Sequence, residues 1–326
     1  MIDTLGRNID YLRISVTDRC NLRCRYCMPE EGIENQGHHH MLSFEQLYRI
    51  VKVANKIGIN KVRLTGGEPL VRKNIVQLIR AISALSSIED ISLTTNGILF
   101  PEMANDLKQA GISRVNISLD TLDKEKYKYI TLKGNLDRVF QAIEKALSLD
   151  MDPVKINVVV MKGFNDDEIL DFARLTYELP VHVRFIEFMP IGDLDFHTED
   201  KVLTIGAVKS IIEETYNLEY GVNIKGHGPA NYAQIAGGKG SLGFISPLSN
   251  HFCNKCNRMR LTADGKLRGC LYSQDEIDLR LALCNDCTDE QLLALFKKAI
   301  LMKPAQHHML DGWGKNNNRK MYQIGG

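Results

Sequence analysis

The feature that most constrains the fold is a rhythm of short β-branched runs, each followed by an amphipathic segment. Parallel strands need a crossover between them, which a helix usually supplies. Six such units of roughly 30 residues each predict an α/β fold, either a doubly wound parallel sheet or an incomplete (β/α) barrel. The candidate strands are residues 11–17, 61–65, 91–95, 114–120, 154–160 and 181–189.

The rhythm ends near residue 195, which predicts a barrel over residues 1–195 and a second region over 196–326. Gly-rich segments in the second region predict antiparallel strands, and Asp264-Gly265 is a hairpin signal. Residues 288–301 predict a helix. In the first region, Ser43 with Gln46 three positions later is a capping-box pattern at the start of a helix over 43–58.

The composition is that of an ordinary globular protein, with 44% apolar and 25% charged residues. The net charge of +1 gives no global attraction to nucleic acid or to an anionic membrane, so neither is expected as a partner. The sequence shows no apolar run of membrane-spanning length and no signal-peptide pattern, which favours the cytoplasm.

The eight cysteines are expected to bind metal rather than form disulfides, because a chain this long does not need covalent staples. They form two groups separated by more than two hundred residues, which predicts two separate metal sites. The first group is Cys20, Cys24 and Cys27; the second is Cys253, Cys256, Cys270, Cys284 and Cys287.

The first group has the spacing C-x3-C-x2-C on a short loop after the first strand. A structural zinc site needs four ligands, and no histidine nearby has an obvious ligand spacing. Three thiolates instead suit three corners of a 4Fe–4S cluster whose fourth iron stays open. Zinc completed by a distant ligand, or accidental clustering, remains the alternative. A Gly-Gly-Glu-Pro turn over residues 66–69 follows the second strand.

This loop, with Tyr26 before its last cysteine, and the Gly-Gly-Glu-Pro turn resemble the radical S-adenosylmethionine (SAM) superfamily. The resemblance implies a partial (β/α)6 TIM-like barrel in which SAM chelates the open iron. Reductive cleavage of SAM would then release methionine and a 5′-deoxyadenosyl radical. The residues implied to line the SAM pocket are Tyr26, Gly67, Ser118 and Met189.

In the second group, Cys253-x2-Cys256-x13-Cys270 again offers three thiols. Cys284-x2-Cys287 could add a second close pair, and two such pairs are typical of a zinc ribbon. The sequence favours a second cluster, and the zinc ribbon remains open.

Cations are frequent in the predicted strands, where a buried charge costs several kcal/mol unless it is paired. Such a set around one cavity favours a strongly anionic substrate, since guanidinium groups bind phosphate oxygens bidentately. The alternative is that they face solvent or pair with Glu187 and Asp120. The cations are Arg13, Lys61, Arg63, Lys155 and Arg184, joined by Arg258 and Arg260 between the later cysteines.

Several further segments, in order, resemble the branch of the superfamily that cyclises GTP in molybdenum-cofactor (molybdopterin) biosynthesis. They include "LRISVTDRCNLRCRYCMP", "VRLTGGEPLVR", "RFIEFMP", "CNKCNRMRLTADGKLRGCL" and a terminal Gly-Gly. The resemblance implies abstraction of the ribose 3′-hydrogen of GTP, attack on C8, and a second 4Fe–4S cluster that binds guanine. The implied GTP contacts are Arg13, Lys61, Arg63, Thr94, Lys155, Arg184, Arg258, Met259 and Arg260.

The same resemblance implies that Gly325 and Gly326 reach into the active site and are needed for catalysis. It also implies a homodimer, an electron donor such as flavodoxin or ferredoxin, and transfer of the product to cyclic pyranopterin monophosphate synthase. The rival functions are a peptide-modifying radical enzyme and a barrel fused to a zinc-ribbon binding module. His38 to His40 are interpreted as a solvated loop, and Trp313 as an anchor for the C-terminal segment.

Overall fold

Six parallel strands form the centre of one sheet, and each coincides with a predicted strand to within a few residues at its ends. The computed structural model describes residues 1–33, 40–192, 196–315, 317 and 319–325. The incomplete barrel predicted from the sequence is therefore confirmed in its strand content. These strands are β1 (Tyr11–Ser15), β2 (Lys61–Thr65), β3 (Asp90–Thr95), β4 (Arg114–Ser118), β5 (Val154–Val160) and β6 (Val181–Glu187).

Helices connect the strands and cover one face of the sheet. The predicted capping box is present, because the Ser43 hydroxyl accepts from the Gln46 N–H and the Gln46 side chain accepts from the Ser43 N–H. No helix in the described ranges is both long and apolar enough to cross a membrane. The helices are α1 (Phe44–Asn55), α2 (Ile75–Ser83), α3 (Phe100–Gln109), α4 (Lys124–Thr131), α5 (Leu136–Ser148), α6 (Ile169–Glu178), α7 (Ile205–Glu213), α8 (Leu279–Cys284), α9 (Asp289–Leu301) and α10 (Met321–Ile324).

The C-terminal strands extend the same sheet at both of its edges. They are β7 (Leu218–Tyr220), β8 (Asn231–Ile235), β9 (Ser241–Ile245), β10 (Arg258–Leu261), β11 (Lys266–Arg268) and β12 (Ile277–Asp278). The antiparallel pairs are β7 with β8, β8 with β9, β10 with β11 and β11 with β12. Of these, the sequence predicted β8 with β9 from the Gly-rich segment and β10 with β11 from Asp264-Gly265. The sequence did not indicate that β9 pairs with β6, and β10 with β1, in parallel. Edge strands carry unpaired backbone groups, which these two additions satisfy.

The strand directions place the two groups of cysteines at opposite ends of the barrel. The first loop follows β1, so Cys20 lies at the carboxyl end of that strand. Cys253 and Cys256 precede β10, which is parallel to β1, and therefore lie at the amino end. Cys270 follows β11, which is antiparallel to β10, and returns to that same end.

Alternation along the strands separates the apolar core from the barrel interior. Leu12, Ile14, Val62 and Leu64 are fully buried in the main hydrophobic cluster with the surrounding helices. Arg13 lies between Leu12 and Ile14 on β1, and its side chain lines the interior cavity instead. The two-residue period of a strand accounts for this division.

Candidate active site

A cavity of about 310 Å³ runs between the two groups of cysteines and is open to solvent. Cys20, Cys24 and Cys27 line one part of it, and Cys253, Cys256 and Cys270 line another. The further sequence-predicted residues on its wall are Arg13, Tyr26, Arg63, Gly67, Thr94, Ser118, Arg184, Met189, Arg258 and Arg260. The structure thus brings most of the predicted site into one cavity.

The first three cysteines are half-buried at the carboxyl ends of the strands. The Leu22 N–H donates to the Cys20 sulfur at 3.3 Å, and the Asn96 side-chain amide reaches it at 3.7 Å. Burial raises the pKa of Cys20 to about 11 and that of Cys27 to about 12. Burial, followed by the neighbouring thiols, also raises the pKa of Cys24 well above its ordinary value. Binding a metal would remove these protons.

The Gly-Gly-Glu-Pro turn packs directly on this loop. A Cβ on Gly67 would lie 2.4 Å from the Arg19 carbonyl oxygen, so the close approach requires glycine. Glu68 is fully buried and accepts from the Asn96 N–H at 2.7 Å and the Thr95 hydroxyl at 2.8 Å. Burial raises the pKa of Glu68 to about 7, although these hydrogen bonds oppose the shift.

Tyr26 joins the cysteine loop to the fourth strand. Its hydroxyl donates to Asp120 Oδ2 at 2.6 Å, and Asp120 Oδ1 accepts from the Val159 N–H at 2.9 Å. Burial raises the pKa of Asp120 to about 6. Two buried carboxyl groups, Glu68 and Asp120, therefore line the cavity at the end that holds the first cysteines.

Cations surround the second group of cysteines. Lys303 Nζ lies 3.5 Å from the Cys256 sulfur and donates to the Arg258 carbonyl at 2.9 Å. Arg258 Nη2 lies 3.6 Å from the same sulfur. Burial alone would raise the pKa of Cys256, but Arg258 and Lys303 outweigh it and lower the pKa to about 6.

The sulfur spacing fits clusters better than single ions. With Zn–S bonds of about 2.3 Å, two thiolates on one tetrahedral zinc lie about 3.8 Å apart. Within the described ranges, neither triad, Cys20/Cys24/Cys27 or Cys253/Cys256/Cys270, has all three sulfurs within 4.8 Å of one another. A multi-iron cluster spans a wider set of thiolates, so the residues present fit one at each end.

Cys284 and Cys287 do not complete a zinc ribbon in this structure. Cys284 is exposed, and the Cys287 carbonyl accepts from Arg49 on α1, on the outer side of the sheet. The cavity wall includes neither of them.

Three arginines of the cavity are buried and have no carboxylate partner among the described residues. Arg63, Arg184 and Arg260 are each at most 6% exposed. In the part of the chain that the structure describes, these three form no ion pair, and neither Glu187 nor Asp120 pairs with any cation. Arg184 donates instead to the neutral side chains of Asn116 and Asn157. The hydroxyl of Thr94 is also buried and has no hydrogen-bond partner among the described residues.

Three predicted GTP contacts lie outside the cavity wall. Lys61 is paired with Asp10 at 2.5 Å at the amino end of β2. The Met259 side chain is fully buried in the main core, because it alternates with Arg258 and Arg260 along β10. Lys155 is only 2% exposed and donates to the Lys225 carbonyl at 2.7 Å.

The C-terminal tail enters the cavity. The Gly325 carbonyl accepts from Arg260 Nη1 at 2.7 Å, and the Tyr322 backbone N–H faces the Cys27 sulfur. A Cβ on Gly325 would lie 2.5 Å from Thr65 Oγ1. Gly326 lies outside the described residues.

Side chains further along the C-terminal segment hold it to the rest of the protein. Arg319 pairs with Asp264 at 3.0 Å and with Glu276. The Trp313 indole N–H donates to the His197 carbonyl, as expected for an anchor. Of the predicted histidine loop, His40 is exposed, and His38 and His39 lie outside the described residues.

Four side chains at the site were not predicted from the sequence. Tyr11 and Asn157 line the cavity, and both alternate correctly with apolar residues on predicted strands, so the strand period could have found them. Lys303 and His307 follow α9 and carry no local motif that would place them beside the second cysteines.

Two family descriptions divide the chain between them. The Radical SAM superfamily matches residues 14–176, and the Molybdenum Cofactor Synthesis C family matches residues 181–309. Among solved structures, SuiB of Streptococcus suis bound to its precursor peptide SuiA superposes with a TM-score of 0.60 at 14% identity. That alignment covers 94% of this chain and 73% of SuiB, and it shows a shared fold.

Curated relatives match over the whole length. GTP 3′,8-cyclase of Syntrophomonas wolfei is 59% identical over 326 residues, which is all of both chains. GTP 3′,8-cyclase of Moorella thermoacetica is 52% identical, again over all of both chains. The chain therefore belongs to the GTP 3′,8-cyclase family within the radical SAM superfamily.

Proposed function

We propose that this protein cyclises GTP to (8S)-3′,8-cyclo-7,8-dihydroguanosine 5′-triphosphate in the first step of molybdenum cofactor biosynthesis. Relatives that carry the name GTP 3′,8-cyclase match the chain from end to end. The observation that carries the proposal for this chain itself is that the buried arginines Arg63, Arg184 and Arg260 have no carboxylate partner among the described residues. Each costs several kcal/mol in an empty cavity, and a triphosphate would offset that cost.

At the carboxyl ends of the strands, Cys20, Cys24 and Cys27 would hold a 4Fe–4S cluster and leave one iron open. When bound there, the cluster and SAM supply the one-electron chemistry that starts a radical reaction. Gly67 lets the backbone approach the bound SAM, and Tyr26, Ser118 and Met189 would line its pocket. The buried carboxyl group of Glu68 would complement the positive charge of SAM.

At the amino ends of the strands, the cations would bind the triphosphate and orient the ribose. Arg63 and Arg184 are buried on the wall, Arg13 is half-buried there, and Lys155 lies beside Arg184. We assign a second 4Fe–4S cluster to Cys253, Cys256 and Cys270, whose open iron would face the guanine base. Arg258, Arg260 and Thr94 would hold that base in position. Lys61 would contribute to the triphosphate site only by leaving Asp10.

The tail would close the cavity over the bound nucleotide. Gly325 already reaches Arg260, and we assign to Gly325 and Gly326 the exclusion of water from the reacting carbon. On one turn of the reaction, the C3′–H bond breaks and the C3′–C8 bond forms. One electron and one proton complete the product.

The remaining partners follow from the family resemblance. We propose a homodimer in the cytoplasm, an electron donor such as flavodoxin or ferredoxin, and delivery of the product to cyclic pyranopterin monophosphate synthase. Neither nucleic acid nor a membrane is proposed as a partner.

Anaerobic turnover tests the proposal. The reconstituted protein is incubated with SAM, dithionite and GTP deuterated at C3′, and the products are separated and weighed by mass spectrometry. We expect an isomer of GTP together with 5′-deoxyadenosine that carries the deuterium. Unlabelled 5′-deoxyadenosine without a cyclised nucleotide would refute the proposed reaction and favour another radical substrate, such as a peptide.

Metal analysis of the same preparation tests the rival binding module. We expect about seven to eight irons and no stoichiometric zinc after anaerobic purification. Stoichiometric zinc with no iron would favour a zinc-ribbon module without radical chemistry.

A further inference from the structure

Two histidines stand beside one of the second cysteines and belong to neither triad. His251 Nδ1 lies 3.0 Å from His307 Nε2, with the rings nearly perpendicular. Ligand atoms of His251, Cys253 and His307 all lie within 4.8 Å of one another. Among the described residues this is the only group of three or more His, Cys, Asp or Glu residues that is so close. The spacing suits one ion, whereas the spacing of the triads does not.

The fold holds this group together from three sides. Both imidazoles contact the Pro247 carbonyl, at 2.9 Å from His251 and 2.7 Å from His307. The backbone N–H of His307 also faces the Cys253 sulfur. Buried Arg7 donates to the Cys253 carbonyl at 3.0 Å and the Ala305 carbonyl at 3.3 Å, so it joins the two segments that carry the ligands.

The geometry is close to that of a tetrahedral metal ion. With Zn–N bonds of about 2.0–2.1 Å, two imidazole nitrogens on one zinc lie about 3.3 Å apart. His251 Nδ1 and His307 Nε2 lie 3.0 Å apart, so they must move apart by about 0.3 Å to bind one zinc ion. When these two nitrogens bind metal, each gives up its contact with the Pro247 carbonyl. His307 Nδ1 is then protonated and gives up one long contact from the Met309 N–H, at 3.4 Å.

We propose that His251, Cys253 and His307 form a mononuclear site for Zn²⁺ in the cluster-free protein. Two imidazoles and one thiolate suit zinc, which is borderline soft. Ion binding removes the proton of Cys253, and the cavity leaves a fourth position for water. Because Cys253 is shared, zinc at this site excludes the second cluster. That exclusion rests on the proposed second cluster, whereas the zinc site does not.

Anaerobic calorimetry with Zn²⁺ on the chelator-treated, cluster-free chain tests the site. We expect His251→Ala and His307→Ala each to weaken this binding by at least about tenfold. His308→Ala is the matched control, because His308 is the exposed neighbour of His307 and pairs with Asp311. Cys256→Ser is expected to leave the zinc affinity unchanged.

The opposite pattern would overturn the site. Zinc affinity that falls in Cys256→Ser and survives in both histidine variants would place the ion on the cysteine triad. Absence of zinc binding in the unmodified chain would also overturn it. Co²⁺ in the unmodified chain provides a readout that needs no variant. We expect a tetrahedral spectrum with a single sulfur-to-cobalt band, and an octahedral spectrum would contradict the proposal.

Reconstitution separates the exclusion from the site itself. Zinc-loaded and zinc-free chains are supplied with iron and sulfide, and their iron is counted. We expect about four irons in the zinc-loaded chain and about eight in the other. Equal iron contents near eight would overturn the exclusion. Failure of the zinc-free chain to exceed about four irons would instead refute the second cluster, and the calorimetric result would still stand.

Discussion

The two ends of the barrel use the same three-thiol arrangement in opposite electrostatic surroundings. At the carboxyl ends of the strands, burial, other thiols and Asp120 raise the pKa of Cys24. At the amino ends, Arg258 and Lys303 outweigh burial and lower the pKa of Cys256 to about 6. Carboxyl groups line the first end, and guanidinium groups line the second.

Both ends can hold the same kind of cluster, but their opposite charges favour different bound molecules. SAM carries a positive sulfonium and is expected beside Glu68 and Asp120. GTP carries a strongly negative triphosphate and is expected beside the arginines. The cysteines alone could not distinguish the two ends, because the ligand set is the same. The charges of their neighbours do distinguish the ends, and they support the proposed placement of SAM and GTP.

The largest expected effect comes from removing one thiolate at each end. Cys24→Ala should abolish reductive cleavage of SAM, because the first cluster loses a ligand. Cys256→Ala should leave uncoupled SAM cleavage measurable while eliminating the cyclised nucleotide. Chromatography of 5′-deoxyadenosine and product under anaerobic turnover provides the measurement, with Cys284→Ser as the control. Equal loss of SAM cleavage in both variants would show that the two ends do not divide the work.

A smaller effect is expected from replacing a buried cation with an apolar side chain of similar length. Arg63→Met should weaken the binding of GTP by about tenfold to a hundredfold, since a charged contact is worth about 1.5–3 kcal/mol. SAM affinity should not change. Removing a buried charge should also raise the thermal midpoint of the GTP-free protein by about 2 °C or more.

Anaerobic calorimetry and thermal unfolding check both parts of this result. Arg138→Met is the matched control, because Arg138 pairs with Glu102 on the surface. A lower thermal midpoint together with unchanged GTP affinity would show that Arg63 stabilises the fold and does not bind GTP.

The tail offers a way to sharpen the comparison, because it touches both ends. A Cβ on Gly325 would approach Thr65 and Ser15 closely, at a φ of +82°. Gly325→Ala should therefore lower the rate of cyclisation by about tenfold or more while GTP affinity changes little. Gly312→Ala is the matched control, since its φ is +73° and nothing lies within 4 Å of the added carbon. Equal rates in the two variants would remove the tail from the active site.

The smallest effect concerns pH. Burial, followed by Arg184 and Arg114, lowers the pKa of Lys155 to about 6, so this amine is mostly neutral at pH 8 before GTP binds. A bound triphosphate raises that pKa, and binding then takes up a proton. GTP affinity should weaken as pH rises above 6, by at most about tenfold per pH unit.

Lys155→Arg isolates this contribution, because arginine stays charged. Calorimetry in two buffers with different protonation enthalpies should show less proton uptake in the variant. Any change in the protonation of GTP itself contributes equally to both proteins and cancels in the comparison. An identical pH slope would exclude Lys155 from the triphosphate site.

The parts of the fold that depend on local patterns were predicted from the sequence. The capping box at Ser43 formed because both partners lie within one turn, and Thr288 caps α9 in the same way. Arg13 and Arg63 were expected in a set of strand cations around one cavity, and both line the cavity of the structure. The two-residue period of a strand, applied to β10, would have turned the Met259 side chain towards the core.

The parts that depend on distant neighbours could not be predicted in this way. Lys61 is neutralised by Asp10 from a segment fifty residues earlier, and nothing at either position marks the pair. Lys303 reaches Cys256 only because the segment after α9 returns to the amino ends of the strands. These contacts depend on the packing of the whole chain.

The parallel pairing of β1 with β10 has a consequence for how the chain acquires its shape. The first strand of the protein completes its hydrogen bonds with a strand from the last quarter of the chain. During synthesis, the outer edge of β1 therefore stays open until the ribosome has released that late segment, and open edges promote aggregation. Such long-range pairing also slows folding. Cells that make this protein should thus need chaperone protection of the nascent barrel until β10 has emerged.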